Sequence, residues 1–221
     1  MPQSKPSALL DLAVLVAVIM AAWSLRFIGI ENVGAITMAV ALLTVFVILK
    51  LRRQGAGQIG LGPIPPARML LQQALRLLPW FAGAWLVGGF VGVALFGPPQ
   101  TASAVSELPA GLWTFLLDIT VVTWVLIAFG EETVFRGFVL DRLLVLAGSE
   151  RQGTWLAILL QAAWFGSLHA SQGASGMIMT GTIGLIFGWY YLNRSRGNLW
   201  PLIVLHGAVD SVILTASWLS R

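Results

Sequence analysis

Apolar runs long enough to cross a bilayer, separated by short polar breaks, recur from one end of the chain to the other. A helical span takes about 20 predominantly apolar residues. The runs 8–27, 33–49, 79–96, 112 onward, 154–170, 177–193 and 199–219 supply or approach that length. The first is read as a retained span: its apolar core is long, and Met20-Ala21-Ala22-Trp23 is a poor cleavage site. Between the second and third runs, residues 54–67 hold too many Gly and Pro for a helix interior and form a loop. Arg68, Gln72 and Arg76 then recur at i, i+4, i+8 amid leucines, which predicts an interfacial helix over 68–78 leading into the third span. Residues 97–111, rich in Pro, form the next break, and small residues at Gly83, Gly88, Gly89, Gly92, Gly184 and Gly188 favour close helix contacts.

Composition turns this pattern into a fold class. With 57% hydrophobic and 10% charged residues, against about a quarter charged in soluble domains, the chain is an all-α, polytopic transmembrane helical bundle of about seven spans. It forms a single integral membrane domain, residues 1–110 supplying the N-terminal spans and loops and 111–221 the core. The formal charge of +4 does not indicate nucleic acid, because the basic residues sit in short loops beside apolar runs. Placing the breaks alternately leaves only Arg26 and Arg221 of the thirteen Lys and Arg residues on the outer side. By the positive-inside rule the N-terminus is cytoplasmic and the C-terminus is outside, in a plasma or inner membrane with the lipid bilayer as the constant partner. The absence of cysteine removes disulfides, thiolate catalysis and thiolate metal sites together.

The chemistry must come from the few ionisable groups inside apolar runs, where each is costly unless it meets a partner or a polar cavity. Glu131 and Glu132 are followed by Arg136. Glu132 and Arg136 share a helix face at i, i+4 in the favourable order, so they form a pair, and Glu131 is left over as a candidate general base or acid. The two histidines, His169 and His206, both lie in apolar spans, and Asp210 shares a face with His206. Gly130, Gly137, Gly166 and Gly207 adjoin these residues and let the helices approach. One polar cavity able to activate water is the expectation.

Glu131-Glu132-x-x-x-Arg136, Phe165-x-x-x-His169 and His206-x-x-x-Asp210, in that order on three hydrophobic segments, resemble the motifs of the CPBP intramembrane proteases. That family includes the type II CAAX prenyl endopeptidases and bacteriocin-processing or immunity proteins. The resemblance covers about 112–219 and implies an intramembrane endopeptidase that hydrolyses a membrane-anchored peptide or protein at the cytoplasmic side. Carried over, it makes Glu131 and His169 the water-activating pair, His206 and position 210 the oxyanion stabilisers, and Glu132 with Arg136 the site-orienting pair. Many members have Asn where this chain has Asp210, and an ionised carboxylate cannot donate to an oxyanion. Asp210 is therefore protonated, or it orients His206, or it joins Glu131, His169 and His206 as ligands of a divalent metal such as Zn²⁺. The sequence leaves these three open. It asks for no organic cofactor, and it does not specify the oligomeric state.

Rival readings are a proton-coupled transporter using the same Glu and His residues as a relay, and a catalytically silent immunity-type protein of the same fold. A bis-histidine haem protein is disfavoured by the surrounding carboxylates. One geometric tension remains at this stage. Counted from the cytoplasmic ends of their spans, His169 lies about 22 Å deep and His206 only about 10 Å, at ~1.5 Å per residue.

Overall fold

The computed structural model describes residues 4–30, 32–99, 109, 111–148 and 150–220. Glu31, Arg221 and most of the expected loop at 97–111 lie outside them. Seven helices form the bundle, with no strand among the described residues. They are α1 (Lys5–Ser24), α2 (Val33–Leu51), α3 (Ala67–Phe96), α4 (Leu112–Ala147), α5 (Arg151–Ser167), α6 (Gly173–Asn193) and α7 (Trp200–Leu219). Five of these, α1 to α4 and α7, are long and apolar enough to cross a membrane. The other two run 17 and 21 residues, and they complete the bundle by packing on each other, α6 also packing against α3.

Local sequence explains most of the ends. Ser4 caps α1 by accepting from the Ser7 amide at 3.4 Å, and Pro6 sits in the first turn, where its missing N–H costs nothing. After α1 a single 3₁₀ turn, Leu25–Ile28, closes on Gly29 at φ +78°, a left-handed cap suited to glycine. The interfacial helix and third span expected as two segments are one continuous rod, α3, with Pro79 inside it. The fifth helix begins at Arg151 and ends at Ser167, three residues earlier at each end than the apolar run suggested.

The largest departure from expectation is α4. Its backbone takes the wider i→i+5 bonding of a π-helix from Asp118 to Val139, flanked by ordinary α-turns. Such geometry is rare and concentrates at functional sites. Nothing in the sequence accounts for its length here. The turn here is wider than that of the α-helix on which the expected i, i+4 pairing of Glu132 with Arg136 rests, yet those two side chains still meet.

Glycines set the helix contacts. A Cβ at Gly92 of α3 would fall 2.7 Å from the Ser175 carbonyl oxygen of α6, and one at Gly88 would fall 2.9 Å from Thr182. A Cβ at Gly83 would meet nothing within 4 Å and one at Gly89 only the Met179 sulfur at 3.8 Å, so only half of that small-residue run is a place of close backbone approach. On α6, Gly184 meets Ala162 and Phe165, and Gly188 meets Gln161.

A polar network ties the N-terminal helices to the core. Asp11, inside the first span and 2% exposed, accepts from Arg52 Nε at 2.9 Å and Nη2 at 2.7 Å, and from Arg142 Nε at 3.0 Å. Arg142 also donates to Asp141 and to Gln54 Oε1, the latter at 2.6 Å. Helices α1, α2 and α4 are thereby pinned at one end of the bundle.

Candidate active site

The three motifs converge because two loops enter the bundle. The Leu199 amide donates to the Gly60 carbonyl at 3.0 Å, and the Trp200 indole donates to Gly62 at 2.9 Å. Both segments press on α4 at Gly137, where a Cβ would sit 2.7 Å from the Ile59 carbonyl oxygen and 3.2 Å from Leu199. Gly137 lies well inside α4, which continues to Ala147. Helix α7 therefore starts at the depth of Gly137 rather than at the helix ends, and His206 rises to the level of Glu132. This removes the depth mismatch between the two histidines.

Glu132 is fully buried and sits at the junction. Its Oε1 accepts from Arg136 Nη1 at 3.2 Å and lies 2.8 Å from His206 Nδ1. The i, i+4 pair expected from spacing is present. The bond to His206 is not legible from spacing, since it crosses between helices. Arg136, also fully buried, is sandwiched by aromatic rings: its guanidinium carbon lies 4.1 Å from the Phe165 ring centre and 5.3 Å from that of Phe187. Such faces attract a desolvated cation. Arg136 Nε and Nη2 and Glu132 Oε2 have no hydrogen-bond partner among the described residues.

His206 has both ring nitrogens against carboxyl oxygens, Nδ1 on Glu132 and Nε2 on Asp210 Oδ2 at 3.3 Å, with Glu131 Oε2 further off at 4.0 Å. Each of the two close contacts needs a proton. Glu131 makes no hydrogen bond among the described residues and lines a cavity, which suits a group that must handle a substrate proton.

His169 stands just past the end of α5, in the turn before the short 3₁₀ segment Ala170–Gln172, rather than within the helix. Its Nδ1 lies 2.9 Å from the Phe165 carbonyl oxygen. A carbonyl can only accept, so Nδ1 carries the hydrogen and Nε2 is left as the free acceptor. The Phe165 ring lies 4.8 Å from the imidazole as well as beneath Arg136. The four-residue spacing of Phe165 and His169 thus has a physical content: backbone carbonyl and ring together orient the histidine.

All six residues, Glu131, Glu132, Arg136, His169, His206 and Asp210, line one cavity of about 320 Å³, whose remaining wall is largely apolar and includes Trp85, Phe187 and Ile213. The glycines beside the motifs are contact points. Cβ atoms at Gly130, Gly166 and Gly207 would fall 3.0 Å from Met38, 2.6 Å from the Met177 carbonyl oxygen and 2.7 Å from Trp124.

The four-donor metal set of Glu131, His169, His206 and Asp210 is not gathered as these side chains stand. Among the described residues no three His, Asp or Glu groups converge closely enough to hold a metal ion. His206 is engaged by carboxyl groups through both nitrogens, and His169 uses Nδ1 on a carbonyl.

Residues 113–212 match the family model described as Type II CAAX prenyl endopeptidase Rce1-like. Over that stretch the chain is similar to the Rce1-like family. All six site residues fall within the stretch that matches the Rce1-like model, whereas α1, α2 and α3 fall outside it. No curated protein and no solved structure matches the chain. The match to that model and five helices of spanning length together mark an integral membrane protein.

Proposed function

We propose that the chain is an intramembrane endopeptidase that hydrolyses a peptide bond in a bilayer-tethered peptide or protein. The observation that supports this most is the placement of an unbonded carboxylate, Glu131, and an imidazole with a free Nε2, His169, on one cavity wall together with His206 and Asp210. Glu131 takes one proton from a water molecule whose other hydrogen is held by Nε2 of His169, and the oxygen of that water attacks the scissile carbonyl. The carbonyl oxygen then carries the developing negative charge, and the Nε2–H of His206 stabilises it as a preorganised donor. Glu132 holds the Nδ1–H of that ring, fixing its orientation, and Arg136 balances the charge on Glu132. Collapse of the tetrahedral species expels the amine, to which Glu131 returns the proton. By the positive-inside distribution of Lys and Arg, the cavity serves substrates from the cytoplasmic side.

The test is to reconstitute the pure protein in vesicles and present a library of membrane-tethered peptides, with and without chelator. Site-specific cleavage that disappears in Glu131→Gln is the expected result. No cleavage of any peptide, in the presence or absence of added divalent metal, would remove the proposal.

A further inference from the structure

A second cavity, of about 240 Å³, lies behind the catalytic wall. Glu131, His169, Phe165 and Ile127 line both it and the first cavity. Its far side comes from helices outside the matched stretch: Trp23 at the end of α1, and Gly34, Thr37 and Met38 at the start of α2. Apart from Glu131, His169 and Thr37 the lining is apolar.

Thr37 is the informative residue. Thr44, Thr120, Thr180 and Thr182 each return the hydroxyl to the carbonyl four residues back, at 2.7 to 2.8 Å. This is the usual resolution for a threonine in an apolar helix. Thr37 does not. It is 8% exposed and its Oγ1 has no partner among the described residues. A buried hydroxyl left unbonded in a cavity wall calls for a polar partner from elsewhere. A hydrocarbon tail brings none, whereas a peptide brings an N–H and a C=O at every residue. The cavity is about the size for one large side chain or a short apolar segment, a little below the usual range of about 300–1,000 Å³ for small-molecule pockets. It also abuts the pair at which the scissile bond must sit.

We propose that this cavity is a substrate subsite: it takes the apolar side chain of a residue next to the scissile bond, while the Thr37 hydroxyl bonds the adjoining peptide group. The proposal rests on the endopeptidase reading above, and it assigns side-chain selectivity to α2 rather than to the matched stretch. Met38 sets the depth of the pocket, since it packs within 3.0 Å of the Cβ position of Gly130.

The test uses two readouts. In reconstituted Glu131→Gln protein, a tethered peptide carrying a diazirine-leucine beside the cleavage position is photolysed and the labelled residues are mapped by mass spectrometry. A diazirine phospholipid serves as the comparison. In the active protein, Thr37→Val and Met38→Ala are assayed against peptides that differ only in the size of that side chain. Peptide label on residues 34–38 is expected. Thr37→Val should lower that labelling and raise KM about tenfold, the worth of one lost hydrogen bond, with kcat little changed and thermal midpoint unchanged or higher. Met38→Ala should shift preference toward larger side chains. Peptide label confined to the first cavity, phospholipid rather than peptide labelling 34–38, or unchanged KM and selectivity in both variants would overturn the subsite. Labelling at 34–38 that Thr37→Val lowers, without cleavage of any peptide, would leave the subsite standing and remove the endopeptidase reading. Cleavage without that labelling would do the reverse.

Discussion

His206 turns its Nδ1 onto Oε1 of Glu132 at 2.8 Å, the same oxygen that receives Arg136 at 3.2 Å. One fully buried carboxylate oxygen thus joins α7 to α4 and couples the charge of Arg136 to the orientation of an imidazole. In an apolar interior such a link is costly to break from one side only, because the partner left behind keeps its charge and loses its counterion.

A double-mutant cycle on this pair should therefore be strongly non-additive. Glu132→Gln or Arg136→Met alone is expected to cost about 3–5 kcal/mol, and the two together less than the sum. Unfolding in detergent measures both. Additive losses would show that the two groups are stabilised independently, through the Phe165 and Phe187 faces for Arg136 and through His206 for Glu132.

Glu131 makes the opposite prediction. It makes no hydrogen bond among the described residues and lines the cavity, so Glu131→Gln removes a proton acceptor without stranding a partner. Thermal stability should be unchanged within error, while kcat falls by about 10²–10⁴, the usual worth of a positioned acid or base. A variant with near-normal turnover would exclude Glu131 as the base.

At the other end of the bundle, Asp11 holds two arginines that differ in exposure: Arg142 is 1% exposed and Arg52 35%. Asp11→Asn should destabilise the protein by roughly 1.5–3 kcal/mol, because the buried Arg142 loses one of its two carboxylates and keeps only Asp141. Arg52→Met should cost about 1 kcal/mol or less, since its partly exposed pair is screened by solvent. Limited proteolysis after α1 in the Asp11 variant would report undocking of the first helix. Equal losses in both variants would mean that burial does not decide the strength of this network.

What the sequence discloses, and what it does not, divides along local and non-local lines. Glu132 with Arg136 and His206 with Asp210 are i, i+4 pairs on one helix each, and both contacts form. The glycines beside the motifs announce close approach, and each one meets a neighbour. The bond between Glu132 and His206 is a tertiary event with no local signature. The entry of residues 56–62 and 199 to the depth of Gly137 is equally invisible, because loop segments with Gly and Pro look the same at a surface as inside a bundle. Asp11 is a different kind of miss. A lone carboxylate in the first apolar run poses the same question as Glu131, and its partners Arg52 and Arg142 lie far from it in sequence. The wide backbone of 118–139 follows from no pattern of residues at all.

Position 210 separates direct activation of water from the metal-ligand alternative. Asp210 Oδ2 lies 3.3 Å from His206 Nε2, and its side chain is 31% exposed. If Asp210 serves by steadying His206 or by donating as a neutral acid, an amide can do the same, for Asn offers both an acceptor and an N–H donor. Asp210→Asn should then retain kcat and ignore chelators. Asp210→Ala should lose about 10²–10³ in kcat, as when one oxyanion donor is removed. If Asp210 is instead a metal ligand, the order changes. A neutral amide binds Zn²⁺ poorly beside a carboxylate, so Asp210→Asn would fall with Asp210→Ala, and excess Zn²⁺ would restore part of its activity. The first outcome is expected, because both nitrogens of His206 are already engaged by carboxyl groups. Elemental analysis of active protein decides it together with the kinetics: a stoichiometric metal, lost along with activity in Asp210→Asn, would reverse the assignment.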